Sequence, residues 1–215
     1  MIDKATNKIN QINCPDCLYH RTWNTAWENN DDRIRLNFVI KQVEGKSVMD
    51  IGAGDGIMSI ELGRLGKFVC GVNINPTELG QAREHLSKEQ DYVRKNVIFV
   101  QEDIESYFPM AKYDNIICSE MLEHTVVPED ILGKIHMIAT ATTKIIITVP
   151  NRLVNQGSPR WELPGIHIQE FTKDRLKNML DKHFKDITFH NMYDPNNTKE
   201  EGPFIMVTCY AKKSN

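Results

Sequence analysis

The residues best suited to do chemistry in this chain lie in Ser119-Glu120-Met121-Leu122-Glu123-His124, with His167 further on. If the stretch is helical, Glu120, Glu123 and His124 fall at i, i+3 and i+4, on one face. Two carboxylates and two imidazoles admit three readings. They can bind a divalent metal, because oxygen and imidazole donors suit Mg²⁺, Mn²⁺, Fe²⁺ or Zn²⁺. Such an ion would hold a substrate hydroxyl and lower its pKa. Alternatively, His124 acts without metal as a general base that Glu120 or Glu123 orients. In the third reading the acids only favour a helix N-terminus and His124 packs at the surface.

A second stretch, Asp50-Ile51-Gly52-Ala53-Gly54-Asp55-Gly56-Ile57, follows the apolar Val48 and Met49 and leads into a helix-like segment. It reads as a strand, a tight turn and a helix N-terminus, where backbone can approach a ligand closely. The dinucleotide fingerprint is G-x-G-x-x-G. Here the third glycine comes one residue early, and Ile57 stands where the fingerprint needs it. Asp50 and Asp55 would also repel a pyrophosphate.

The elements that must position these residues alternate. Residues 31–43 have helical apolar spacing (Ile34, Phe38, Val39, Val43), and 46–51 form a first strand. A helix over 57–65, a strand over 67–73 and a helix starting at Pro76 follow. Further strands are expected at 96–101, 113–119 and 144–149, with helices at 129–141 and 172–184, the last capped by Thr172. The final strands, 186–192 and 204–211, are joined by a segment too short for a crossover helix, so they should be antiparallel. The rest implies a parallel sheet covered on both faces. We expect one domain over 31–215, with 1–30 as an N-terminal extension.

The chain has 215 residues, enough for one large α/β domain, and its net charge of −3 argues against a strongly basic nucleic-acid groove. Its 5 cysteines are scattered and suggest no disulfide framework. The polar N-terminus lacks the apolar core of a signal peptide, and no apolar run reaches membrane-span length. A cytoplasmic protein is the expectation.

The tight glycine turn with its two acids resembles motif I of the class I S-adenosyl-L-methionine-dependent methyltransferases, and the likeness extends over about residues 34–210. It implies a Rossmann-like three-layer sandwich. The sheet would have seven strands, mostly parallel, in the order 3-2-1-4-5-7-6, with an antiparallel last strand. It also implies that Gly52, Ala53, Gly54 and Gly56 pass the methionine end of the cofactor, with Asp50 and Asp55 facing its cationic groups. The family usually has an acid for the ribose hydroxyls after the second strand. Asn73 stands there, and Asn75 is a second candidate. Asp103 matches the position near the adenine amino group, with Ile74 and Ile104 on the ring faces and Ser119 at the end of the fourth strand. A helix cap is the plainer role for Asp103.

The E-x-x-E-H set with a later histidine also resembles the Hen1-type RNA 2′-O-methyltransferases. The ubiquinone-biosynthesis O-methyltransferases carry a similar E-x-x-E-H. The Asn/Asp-Pro-Pro-Tyr tetrad typical of N-methyltransferases is absent after the fourth strand. O-methylation of a small-molecule or sugar hydroxyl is therefore the leading expectation. An RNA ribose or a non-catalytic cofactor-binding role is the alternative.

Three further features have plainer readings beside functional ones. Cys14 and Cys17 are half a zinc knuckle or a polar turn. Tyr19, Trp23 and Trp27 form a packing stripe, or a lid over cofactor and substrate. Arg152, Arg160 and Trp161 are an opposing wall or a solvated loop.

Overall fold

A computed structural model describes residues 3–6, 8, 30–155, 167–191 and 202–213. Its sheet has seven strands: β1 (Ser47–Ile51), β2 (Phe68–Asn73), β3 (Val97–Gln101), β4 (Asn115–Ser119), β5 (Lys144–Pro150), β6 (Phe184–His190) and β7 (Phe204–Ala211). The order is β3-β2-β1-β4-β5-β7-β6. Strands β1 to β5 are parallel, and β7 runs antiparallel to both β5 and β6. The helices are α1 (Asn30–Gln42), α2 (Ile57–Arg64), α3 (Pro76–Ser87), α4 (Asp91–Asn96), α5 (Pro128–Ile138), α6 (Arg152–Asn155) and α7 (Lys173–Leu180). Strand–helix alternation, the antiparallel hairpin and the strand order all match the sequence-based expectation.

Two apolar clusters cover the two faces of the sheet. Strand periodicity sends Met49 and Ile51 of β1 to one face, against Leu132 and Ile135 of α5 and Leu176 and Leu180 of α7. Val48 goes to the other, with Ile117, Ile146, Leu36 and Val39 of α1, and Ile60 and Leu62 of α2. Asp50 shares parity with Val48, so it is delivered to the face of α1 and α2. Close packing of buried aliphatic side chains on both sides makes this sheet a stiff platform.

The structure departs from expectation at several places. Helix α4 was not anticipated, since it is six residues long and only Val93 is buried. Helix α7 ends at Leu180 and β6 already begins at Phe184, so the expected boundaries of 184 and 186 shift towards the N-terminus. Residues 120–124 do not form an α-helix. Glu120 has a left-handed φ of 54°, and only Leu122–His124 make a single 3₁₀ turn. The i, i+3, i+4 face is therefore not formed.

Candidate active site

Ends of β1, β2 and β4 converge on one cavity of about 320 Å³. The strand order reverses between β1 and β4, where open α/β sheets present their ligand crevice. Of the sequence-selected residues, Asp50, Gly52, Ala53, Gly54 and Asp55 line it from the glycine turn. Gly54 has φ +54° and a Cβ built on it would meet nothing within 4 Å, so the backbone is bare towards open space. Gly56 is different. It does not line the cavity but packs at the start of α2 with φ +84°, where a Cβ would fall 2.7 Å from Phe99 Cζ and 2.9 Å from Ala82 Cβ.

Asp50 is 3% exposed and accepts a 2.7 Å hydrogen bond from Ser59 Oγ of α2. Burial raises its carboxyl to about 6, against the pull of Ser59 and the nearby Arg35, and Asp55 adds to the rise. Arg35, from α1, was not singled out by sequence reasoning. It is nearly fully buried, lines the cavity and donates from Nη1 to Ser119 Oγ at 2.6 Å. It also faces Asp32 one turn earlier at 3.7 Å, and its signal in the sequence was this i, i+3 pair of opposite charges on the apolar side of a helix, close to Leu36 and Val39.

Across the cavity, Asn73, Ile74, Asp103 and Ile104 line the wall made by the ends of β2 and β3. Asn73 donates from Nδ2 to Glu78 Oε2 at 2.6 Å. Asn75 caps α3, its Oδ1 accepting from Thr77 N and Glu78 N, which commits that oxygen to the helix rather than to a ligand. Asp103 Oδ1 accepts from Glu105 N at 3.0 Å, but residues 104–106 form a turn, so it caps a turn and not the helix expected there. Its Oδ2 meets Lys8 Nζ at 2.5 Å.

At the end of β4 a polar relay runs from Arg35 to Ser119 Oγ, which is 2.8 Å from Thr148 Oγ1; Thr148 in turn donates to Glu120 Oε1 at 2.9 Å. Ser119 and Thr148 are register partners on β4 and β5, so the sheet itself sets this spacing. Glu123, His124 and His167 gather beside it, their nearest ligand atoms all within 4.8 Å of one another. Glu120 is not part of that triplet. His124 Nε2 stands 3.9 Å from Glu123 Oε1, and the His124 and His167 rings meet edge-on at 5.0 Å. Glu123 is 1% exposed. Its carbonyl accepts from Ile168 N and Gln169 N at 2.9 and 3.0 Å, which pins His167 next to the 3₁₀ turn.

The donor chemistry, one carboxylate and two imidazoles, fits a divalent transition ion better than Mg²⁺, which prefers an oxygen cage. The acidic walls of the cavity and the bare Gly54 backbone fit a cationic ligand with an extended polar end. Cys14, Cys17, Tyr19, Trp23, Trp27, Arg160 and Trp161 lie outside the described residues. Arg152 pairs at 2.8 Å with Glu170, both exposed, and does not line the cavity.

Comparison with known proteins agrees with this architecture. The profile of a family described as a methyltransferase domain matches residues 23–183. A ubiquinone biosynthesis O-methyltransferase from Photorhabdus laumondii is 31% identical over 125 residues, 55% of this chain and 50% of that protein. This chain thus spans about half the length of the curated relatives it matches. Among solved structures, the methyltransferase domain of the bacterial CtHen1 superposes with a TM-score of 0.66 at 21% identity, covering 84% of this chain and all (100%) of that one. Magnesium protoporphyrin IX methyltransferase from Synechocystis gives a TM-score of 0.68 at 16% identity, over 98% of this chain and 100% of the other. At these identities the structural likeness establishes the fold.

Proposed function

This chain belongs to the methyltransferase domain family, and on that footing we propose that it transfers the methyl group of S-adenosyl-L-methionine to a hydroxyl oxygen of a small molecule or sugar. The observation that carries the oxygen acceptor is the Glu123, His124 and His167 cluster on the wall of the cavity that the glycine turn also lines. The cofactor supplies an electrophilic methyl carbon on a sulfonium. The chain supplies a cradle, a proton acceptor and a dry wall. Gly52, Ala53 and Gly54 leave room for the methionine end. Asp50 and Asp55 face the ammonium, and Arg35 is the cation placed for the carboxylate. Asp103, Ile74 and Ile104 hold the adenine.

His124 takes the acceptor's proton, and the buried Glu123 carboxylate favours the imidazolium that results. Deprotonation is needed because a neutral hydroxyl is a poor nucleophile, and orientation of the attacking oxygen supplies much of the rest. A divalent ion held by Glu123, His124 and His167 would perform the same activation by lowering the hydroxyl's pKa.

The test is a methyl-transfer assay on a panel of phenols, sugars and short RNA, with and without EDTA. His124→Ala should lower the rate by about 10²-fold or more while S-adenosylhomocysteine affinity stays within about twofold. An unchanged rate discards the proton-acceptor role. Activity that EDTA abolishes and one metal restores selects the metal form, and full activity in EDTA selects the metal-free base. Transfer only to RNA moves the acceptor to a ribose.

A further inference from the structure

The ribose wall lacks the acid that follows the second strand in related enzymes, yet the cavity does not lack a carboxylate there. Asn73 at the end of β2 and Glu78 in the first turn of α3 both line the cavity, joined by the 2.6 Å bond from Asn73 Nδ2 to Glu78 Oε2. The Asn75 cap fixes the first turn of α3 and so the position of Glu78. Asn73 is itself fixed: its carbonyl accepts from Glu102 N at 3.2 Å, tying the ends of β2 and β3 together. We propose that Glu78 is the ribose-binding carboxylate of this chain, moved from the end of β2 onto α3 and steered into the cavity by Asn73. The proposal rests on the reading of the cavity as a site for S-adenosyl-L-methionine.

The chemistry favours this pairing over a simple loss of the acid. A vicinal diol offers two O–H donors and is best met by two acceptors. Glu78 uses Oε2 for the Asn73 amide and has a second carboxylate oxygen. Asn73 donates with Nδ2 and keeps Oδ1 as an acceptor. An aspartate at 73 would instead set two carboxylates against each other at hydrogen-bond distance, and the pair would hold a proton. The asparagine is thus the complement of the glutamate. Burial also pushes the Glu78 carboxyl above its usual range, with the Asn73 bond opposing the shift and Asp55 adding to it. Such a desolvated group gains from hydroxyl donors.

Calorimetric titration of the 215-residue chain tests the assignment, with S-adenosylhomocysteine and its 2′,3′-dideoxyribose analogue as probes. A hydrogen bond to a charged acceptor is worth about 1.5–3 kcal/mol, roughly 10- to 100-fold in affinity. Glu78→Gln should therefore weaken S-adenosylhomocysteine binding at least about tenfold and leave the dideoxy analogue unchanged. The exchange Asn73→Asp with Glu78→Gln, which returns the acid to β2, should recover most of the loss. Equal binding by wild type and Glu78→Gln overturns the proposal. So does an equal loss for both ligands, because that is the signature of a merely structural bond. Wild-type chain that binds neither ligand overturns the cofactor reading itself, a distinct result.

Discussion

Asp50 shows what burying a single carboxylate demands of the fold. It is buried between Ser59 of α2 and the nearby Arg35 of α1, and burial outweighs both in raising its carboxyl from 3.8 to about 6. At about 1.4 kcal/mol per unit, the folded chain pays roughly 3 kcal/mol at neutral pH to keep this charge. The unfolded chain ionises near 3.8 and the folded chain near 6, so this contribution to stability falls as pH rises through that window and is constant above it. Asp50→Asn keeps an acceptor for Ser59 and removes the charge. It is expected to raise the melting temperature of the cofactor-free protein by a few degrees at pH 7.5, by less at pH 5, and to weaken S-adenosylhomocysteine about tenfold. Thermal unfolding at the two pH values and calorimetry check both halves. A lower melting temperature at pH 7.5 would falsify the account of Asp50 as a charge held against its solvation.

The glycine turn between β1 and α2 works as an element whose glycines have separate tasks, and a pair of variants separates them. At Gly56 a Cβ meets Phe99 and Ala82 in a left-handed backbone. Gly56→Ala should destabilise the fold by about 2–4 kcal/mol through crowding and strain. At Gly54 a side chain meets only open space. Gly54→Arg should cost only about 1–2 kcal/mol of left-handed strain but abolish S-adenosylhomocysteine binding by filling the cradle. Denaturant melts with calorimetry measure this, and Gly54→Arg that binds normally would remove the turn from the site. The turn, the strands and the helix starts were legible in the sequence because their cues are local: alternating β-branched residues, glycine spacing, and the Thr172 and Pro76 helix starts. The 120–124 segment was not. Glu120 leaves β4 in a left-handed conformation while its carboxylate is held by Thr148 of β5, a partner 28 residues away. Arg35 and Glu78 escaped for the same reason. Each is an ordinary charge on a helix until the sheet brings Ser119 or Asn73 to meet it.

At the scale of the whole molecule, the cavity at the ends of β1, β2 and β4 is also lined by helix residues such as Arg35, Glu78 and Ile131, and by Lys4 and Lys8 from near the N-terminus. Lys8 pairs with Asp103 at 2.5 Å and with Glu105 at 3.2 Å; Lys4 reaches Glu105 at 3.4 Å and also pairs with Asp130 of α5. Lys4 and Lys8 both line the cavity. We propose that the short stretch carrying Lys4 and Lys8 acts as a cover for the cofactor, fastened by these acids. The pairs are partly exposed, so each is individually weak and screened by salt. A cover held this way can open and close at little cost, as the proposed methyl transfer needs for exchanging cofactor between turnovers. Reversing both charges in the full chain, Lys4→Glu with Lys8→Glu, should place like charges at the seam and speed S-adenosylhomocysteine dissociation several-fold. The melting temperature should stay within a few degrees, since the core lies elsewhere. High salt should speed dissociation from the wild type towards the same value and barely affect the variant. Stopped-flow displacement reads both rates, and equal dissociation from wild type and variant at low salt would detach the segment from the site.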